Sequence, residues 1–177
     1  MPERLLKNTY CVFDIETTGL NFSTDEIIEI GAVKIVNGVF TESFSTFVRP
    51  NSPVPENIEK LTGIKNEDVA LAPQLCDVIP DFYKFCDGCL LVGHNVTFDY
   101  RFVEYYAEQE RYTFSQTRYD TVNLAQELLR LSNYKLNTVA DYYGFTFNHH
   151  RAFDDALTTA KIFIELIKQR KSLPKVE

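Results

Sequence analysis

The stretch Val12-Phe13-Asp14-Ile15-Glu16-Thr17-Thr18-Gly19 places two carboxylates two residues apart inside an apolar run that otherwise reads as a buried strand. Side chains at i and i+2 of a strand point to the same face. Asp14 and Glu16 therefore share one patch, and Phe13 and Ile15 turn the other way. Burying even one unpaired charge costs several kcal/mol, so two on one face call for a compensating cation. A divalent metal is the obvious candidate, and it needs further ligands from elsewhere in the chain.

Working outward, Thr9 to Glu16 reads as the first strand and Ile27 to Val36 as the second. The second runs into Asn37-Gly38, a strong hairpin signal between β-rich runs. Val39 to Val48 is the returning partner, with Phe40, Phe44 and Phe47 among Thr, Ser and Glu. Three consecutive strands thus form an antiparallel meander. Pro50, Pro53 and Pro55 then interrupt regular structure ahead of a short helical piece near Asn57 to Leu61, and Asn66 is placed to cap another. Beyond Pro73, the spacing of Leu75, Val78, Ile79, Phe82 and Phe85 predicts a helix. Cys89-Leu90-Leu91-Val92-Gly93 is apolar throughout, as in a strand buried on both faces. It leads through His94-Asn95 to a helix with Phe98, Phe102, Tyr105 and Tyr106. Tyr119-Asp120-Thr121 opens a helix with Leu124, Leu128, Leu129 and Leu131, and a shorter one spans Leu136 to Tyr143 before Gly144. The last long helix starts just after His150 and runs to about Gln169. A meander followed by alternating helix and strand indicates an α/β sheet of mixed direction. One domain over 1–177 is expected, with its core at about 7–169 and a polar, frayed tail from Lys168.

Composition narrows the classes. The 177 residues are 45% apolar and carry a net charge of -7, which argues against a stand-alone binder gripping long duplex DNA by its phosphates. It leaves open an enzyme that holds a few nucleotides at a metal site, where the ion supplies the positive charge. Cys86 and Cys89 form a C-x2-C without a second pair, so with Cys11 and Cys76 they read as reduced, partly buried thiols. No apolar leader opens the chain and no run approaches the ~18 residues of a membrane span, so a cytoplasmic protein is expected.

Two further places carry candidate ligands. Asp99 lies five residues after His94, in the first turn of a helix that leaves a buried strand. Ligands of open α/β sheets collect beyond the carboxyl ends of strands, although an acid at a helix N-terminus needs no function. His149-His150-Arg151-Ala152-Phe153-Asp154-Asp155-Ala156 enters the final helix. Here too the acids complement the helix dipole, and spacing alone does not choose among the two histidines and two aspartates. Four carboxylates and a histidine at strand ends and helix starts form an oxygen-rich set suited to Mg²⁺ or Mn²⁺ rather than zinc.

Asp14-x-Glu16 in Phe-Asp-Ile-Glu-Thr-Thr-Gly, Asn95-x-x-Phe98-Asp99 and His150-x4-Asp155 resemble the three motifs of the DEDDh (DnaQ-like) 3'→5' exonucleases, over roughly Lys7 to Ile167. The chain is similar to the proofreading exonucleases of bacterial DNA polymerase III, either the epsilon subunit or the PolC-type domain, and Leu61-Thr62-Gly63-Ile64 and His149-His150-Arg151-Ala152 resemble the PolC-type group. The resemblance implies a ribonuclease-H-like fold with a five-stranded mixed sheet flanked by helices. It implies that Asp14, Glu16, Asp99 and Asp155 hold two Mg²⁺ or Mn²⁺ ions and that His150 is the general base. A sister subfamily has tyrosine where this chain has Arg151. Around the terminal nucleotide it suggests the backbone of Thr17 and Thr18, with Leu20, Thr62, His94, Asn95 and Phe98, although Phe98 also fits a core aromatic spaced with Phe102. The implied reaction releases nucleoside 5'-monophosphates from single-stranded or frayed 3' ends of DNA in proofreading or repair, with a DNA polymerase III assembly as partner. RNA 3'-end processing by the same chemistry and a non-catalytic binding or scaffold module are the alternatives.

Overall fold

The computed structural model describes residues 8–172. Five strands form one sheet: β1 (Thr9–Thr17), β2 (Ile27–Val36), β3 (Val39–Phe47), β4 (Leu90–Gly93) and β5 (Arg118–Asp120), in the order β3-β2-β1-β4-β5. The β1/β2 and β2/β3 pairs are antiparallel, and β1/β4 and β4/β5 are parallel. This is the mixed sheet the sequence predicts. Asn37 and Gly38, at φ 52° and 81°, make the two-residue turn that sets Val36 opposite Val39. Both residues need positive φ, which Asn and Gly tolerate and which matches the right-handed twist of the strands.

Seven helices complete the described chain: α1 (Glu56–Thr62), α2 (Asn66–Val69), α3 (Leu75–Cys86), α4 (Thr97–Gln109), α5 (Thr121–Leu128), α6 (Leu136–Tyr143) and α7 (Ala152–Ser172). They cover both faces of the sheet's centre, which explains why β1 reads as nearly continuous apolar sequence. Cys11, Phe13 and Ile15 pack with Ile79, Phe82 and Phe102 from α3 and α4. Tyr10 and Val12 turn to the other side, against Leu124, Val139 and Phe163 from α5, α6 and α7. Asp14 and Glu16 continue this second row toward the strand's end, so they face α7. β3 forms one edge and is mostly exposed, in keeping with its Thr, Ser and Glu content.

Some boundaries differ from the sequence reading. Asn66 is the first residue of α2 and not its cap; its side-chain oxygen instead accepts the Val54 N–H at 2.8 Å, pinning the preceding loop. α5 ends at Leu128, so Leu129 and Leu131 follow it in a loop, although Leu129 remains buried. β5 has only three residues, too few for a period-2 pattern, and only the resemblance implied a fifth strand. Lys168 to Ser172 are helical, and the rest of the expected frayed tail, like Lys7, lies outside the described residues. Cys11, Cys86 and Cys89 are buried free thiols and Cys76 is exposed. No helix among the described residues is long and apolar enough to cross a membrane.

The contact between α7 and the sheet fixes the site. Gly31 on β2 pairs with Asp14 on β1. A Cβ at Gly31 would overlap the backbone of Ala152 and Phe153, so glycine is what lets the first turn of α7 rest directly on the strand.

Candidate active site

Four carboxylates meet at the carboxyl ends of β1 and β4. Asp14 and Glu16 come from β1, Asp99 is the third residue of α4 and Asp155 lies in the first turn of α7. Glu16, Asp99 and Asp155 are 9%, 4% and 6% exposed, and Asp14 is partly buried. One ligand atom each from Glu16, His150 and Asp155 lies within 4.8 Å of the others. Asp99 crosses from the α4 side by accepting the Ile15 N–H at 3.1 Å, which fixes its carboxylate against β1. Asp155 accepts the His150 N–H at 3.2 Å through Oδ2. Its Oδ1 is buried without a hydrogen-bond partner. His150 takes φ 61°, a left-handed conformation that histidine adopts more readily than most residues and that ends the loop just before the helix.

The electrostatics follow from that crowding. Burial first, then Asp155, Glu29 and Asp99, pushes Glu16 up to about 8. Burial raises Asp99 to about 7 against the opposing Ile15 hydrogen bond, and raises Asp155 to about 7 against that from His150. Asp14 is lifted well above the usual carboxylate range by burial and by Asp99, Asp155 and Glu16. Such a cluster is unfavourable as four anions and becomes favourable around cations. The orphaned Asp155 oxygen, the oxygen-dominated donor set and the mutual repulsion all fit hard divalent ions.

Two clefts open beside the carboxylates. One, of about 470 Å³, is lined by Asp14, Asp155, His94, His149, His150 and Lys135, among others. The other, of about 380 Å³, combines apolar and polar walls and includes Leu20, Phe22, Asn95, Phe98, Arg101 and Phe102. Leu20 is 86% exposed at its edge. Phe98 lines the cleft and packs on Phe102 at a centroid distance of 5.2 Å, as the core reading made from its spacing expects.

Of the remaining suggested substrate residues, Thr17 and Thr62 are buried, Thr18 and His94 are half-buried and Asn95 is exposed. The Thr17 hydroxyl donates to Gly19 O at 2.6 Å, and that of Thr18 accepts the Glu26 N–H at 2.8 Å. Thr62 is buried, with its hydroxyl donating to Ile58 O and accepting from Ile64 N. Both ring nitrogens of His94 are engaged, at 2.8 Å from the Thr121 hydroxyl and from Tyr134 O. Burial lowers the His94 pKa; the Tyr134 carbonyl can only accept, so Nε2 donates to it, and Nδ1 faces the Thr121 hydroxyl, which donates to Gly93 O at 3.2 Å. Asn95, at φ 62°, donates its backbone N–H to Asp120, which also caps α5 through Val122 N.

Sequence reasoning passed over Glu29, although an acid inside the apolar run Ile27–Val36 is the signal that singled out Asp14 and Glu16. Glu29 pairs across β1/β2 with Glu16 and is buried. The lining position of Lys135 carried no local signal, whereas His149 stood beside His150 as a candidate that spacing could not separate from it.

A mixed five-stranded sheet with carboxylates converging at the mouth of its parallel strands defines a ribonuclease-H-like hydrolase. The exonuclease family profile matches residues 11–163, and the chain belongs to that family. It is 43% identical over 173 residues to the PolC-type DNA polymerase III of Caldanaerobacter subterraneus subsp. tengcongensis, covering 97% of this chain and 12% of that protein. It is 38% identical over 172 residues to the DNA polymerase III subunit epsilon of Aquifex aeolicus, covering 96% of this chain and 85% of that one. Among solved structures, exonuclease X in complex with 5' overhanging duplex DNA superposes with a TM-score of 0.76 at 25% identity, over 93% of this chain and 94% of that one. The membership inferred from three short motifs thus holds across nearly the whole described chain.

Proposed function

We propose that this chain is a single exonuclease domain that removes nucleotides one at a time from 3' ends of DNA, with two divalent cations, Mg²⁺ or Mn²⁺, as cofactors. The convergence of Asp14, Glu16, Asp99, Asp155 and His150 in one cluster is the observation that supports it most. Relatives named as DNA polymerase III proteins support a proofreading or repair role in the cytoplasm and a polymerase III assembly as partner. A net charge of -7 fits delivery of the 3' end by such a partner better than independent capture of duplex DNA.

The four carboxylates would hold the cations. When bound, these acidify a water and stabilise the negative charge gathering on phosphorus and on the departing 3'-oxygen. His150, whose backbone is locked to Asp155, would take the proton from the attacking water, and an imidazole suits that role near neutral pH. The cleft between Leu20 and Phe98 would receive the terminal base, with Phe98 offering a ring for packing. The scissile phosphate would then lie over the carboxylates of the adjoining cleft. Thr62 and His94 serve this arrangement by shaping the loops, since their polar side-chain groups are already paired, and the backbone of Thr17 and Thr18 would lie beside the terminal nucleotide.

His150→Ala should lower kcat by roughly 10²–10⁴-fold with little change in KM, the span expected for a lost general base. The assay is chromatography of products from single-stranded DNA, in which the wild type yields nucleoside 5'-monophosphates. Wild-type turnover by His150→Ala would remove the general-base assignment, and nucleoside 3'-monophosphates would refute the proposed bond cleavage.

A further inference from the structure

Glu29 and Arg151 take no part in the chemistry above, yet they form the densest polar contact beside it. Glu29 is 2% exposed and sits in register with Glu16 on β1 and Phe47 on β3, so three side chains form a row on one face of the sheet. Arg151 lies across this row. Its Nε donates to both Glu29 oxygens at 3.3 Å and its Nη2 to Oε1 at 3.0 Å. Its guanidinium carbon stands 5.3 Å from the centroid of the Phe47 ring. The Ala152 N–H, at the start of α7, donates to Glu29 Oε2 at 3.0 Å.

Two consecutive residues at the helix entrance thus saturate one buried carboxylate. They lie directly after His150, and the Arg151 carbonyl accepts the Asp155 N–H at 2.9 Å. A buried ion pair is weak evidence for stability, because well-packed apolar residues often do as well. A bidentate fork over a fixed carboxylate specifies geometry instead. Gly31, two residues along the same strand face, lets the helix backbone make close contact there. Arg151 also offsets a fifth buried carboxylate next to Glu16.

We propose that Glu29 and Arg151 are positioning residues for the exonuclease reaction: their fork seats the start of α7 on β2, so that His150 and Asp155 meet Glu16. This rests on the function proposed above. The test uses Arg151→Gln, Glu29→Gln, the double variant and Arg151→Lys, read by kcat and KM on single-stranded DNA, by Mn²⁺ calorimetry without DNA, and by thermal melting. Removing a partner that orients metal-binding side chains typically lowers metal affinity or activity about 10–100-fold. Arg151→Gln should fall in that range for kcat and Mn²⁺ affinity with KM little changed. Arg151→Lys, which keeps charge without the fork, should recover only part of the loss. The double variant should lose less than the product of the two single losses.

A folded Arg151→Gln protein with wild-type kcat and Mn²⁺ affinity would overturn the proposal, as would full recovery by Arg151→Lys. Should the Gln variants not fold, Arg151→Lys decides alone, and unaltered kcat and Mn²⁺ affinity there would refute the positioning role. Mn²⁺ binding without DNA separates this outcome from failure of the functional reading, which would show as a wild type inactive on every nucleic acid.

Discussion

Asp14→Asn is expected to reduce DNA hydrolysis by more than about 100-fold, since loss of a metal-holding carboxylate should exceed the roughly 10–100-fold effect of losing a group that merely orients one. The same substitution should raise the melting temperature of the metal-free protein. The Asp14 side chain makes no hydrogen bond among the described contacts, and it is crowded by Asp99, Asp155 and Glu16. A neutral amide of the same shape removes repulsion and leaves packing intact. Activity and metal-free stability should therefore move in opposite directions, the pattern of a group retained for chemistry at the expense of the fold. Wild-type rates, or a fall in activity matched by a fall in melting temperature, would assign Asp14 a structural role instead. Steady-state hydrolysis and melting in EDTA are the measurements.

The second large effect concerns pH. Glu16 is displaced from 4.5 to about 8, and Asp99 and Asp155 from 3.8 to about 7. Between about pH 4 and 8 the folded metal-free protein therefore holds protons that the unfolded chain releases. Stability falls with rising pH wherever the native state binds more protons, so the metal-free protein should weaken across this window. Each tenfold change in proton affinity corresponds to about 1.4 kcal/mol. Each kcal/mol moves Tm by about 2–4 °C in a chain of this size. A fall of more than about 10 °C between about pH 5 and pH 8 is expected in EDTA. Mn²⁺ should reverse it, and by more at the higher pH, because binding needs ionised ligands. Melting curves for the wild type and Asp14→Asn across that range check the point, with the slope expected to be shallower in the variant. A Tm independent of pH in EDTA, or unaffected by Mn²⁺ at about pH 8, would contradict the cluster's account.

The parts of this molecule legible in the sequence were those with local causes. Ile27–Val36, the Asn37-Gly38 turn and the end of α6 at Gly144 follow from β-rich composition, positive-φ residues and a left-handed helix stop, so the structure places them where the sequence does. Asp14 and Glu16 stood out because charges inside an apolar strand need an explanation. β5 and the end of α5 depend on tertiary partners: Arg118–Asp120 becomes a strand because β4 lies beside it, and Leu129 stays buried outside any helix. The site divides along the same line. The order of the motifs could be read, whereas the engagement of both His94 nitrogens and the Thr62 hydroxyl could not, because their partners are set by the fold. Glu29 carried the same signal as Asp14 and Glu16, and Arg151 stood out as part of the His149-to-Ala152 resemblance and as a position that lacks tyrosine, with no partner indicated. Their pairing joins positions 122 residues apart, and spacing in the sequence holds no trace of it.

The most direct test offers single-stranded DNA, mismatched primer-template and RNA of equal length, each labelled at the 5' end, with Mg²⁺, Mn²⁺ or EDTA. The expected result is a ladder that shortens from the 3' end on DNA with either metal ion and is absent in EDTA. Cleavage that persists in EDTA would contradict a metal-dependent site, and a clear preference for RNA would contradict DNA as the substrate.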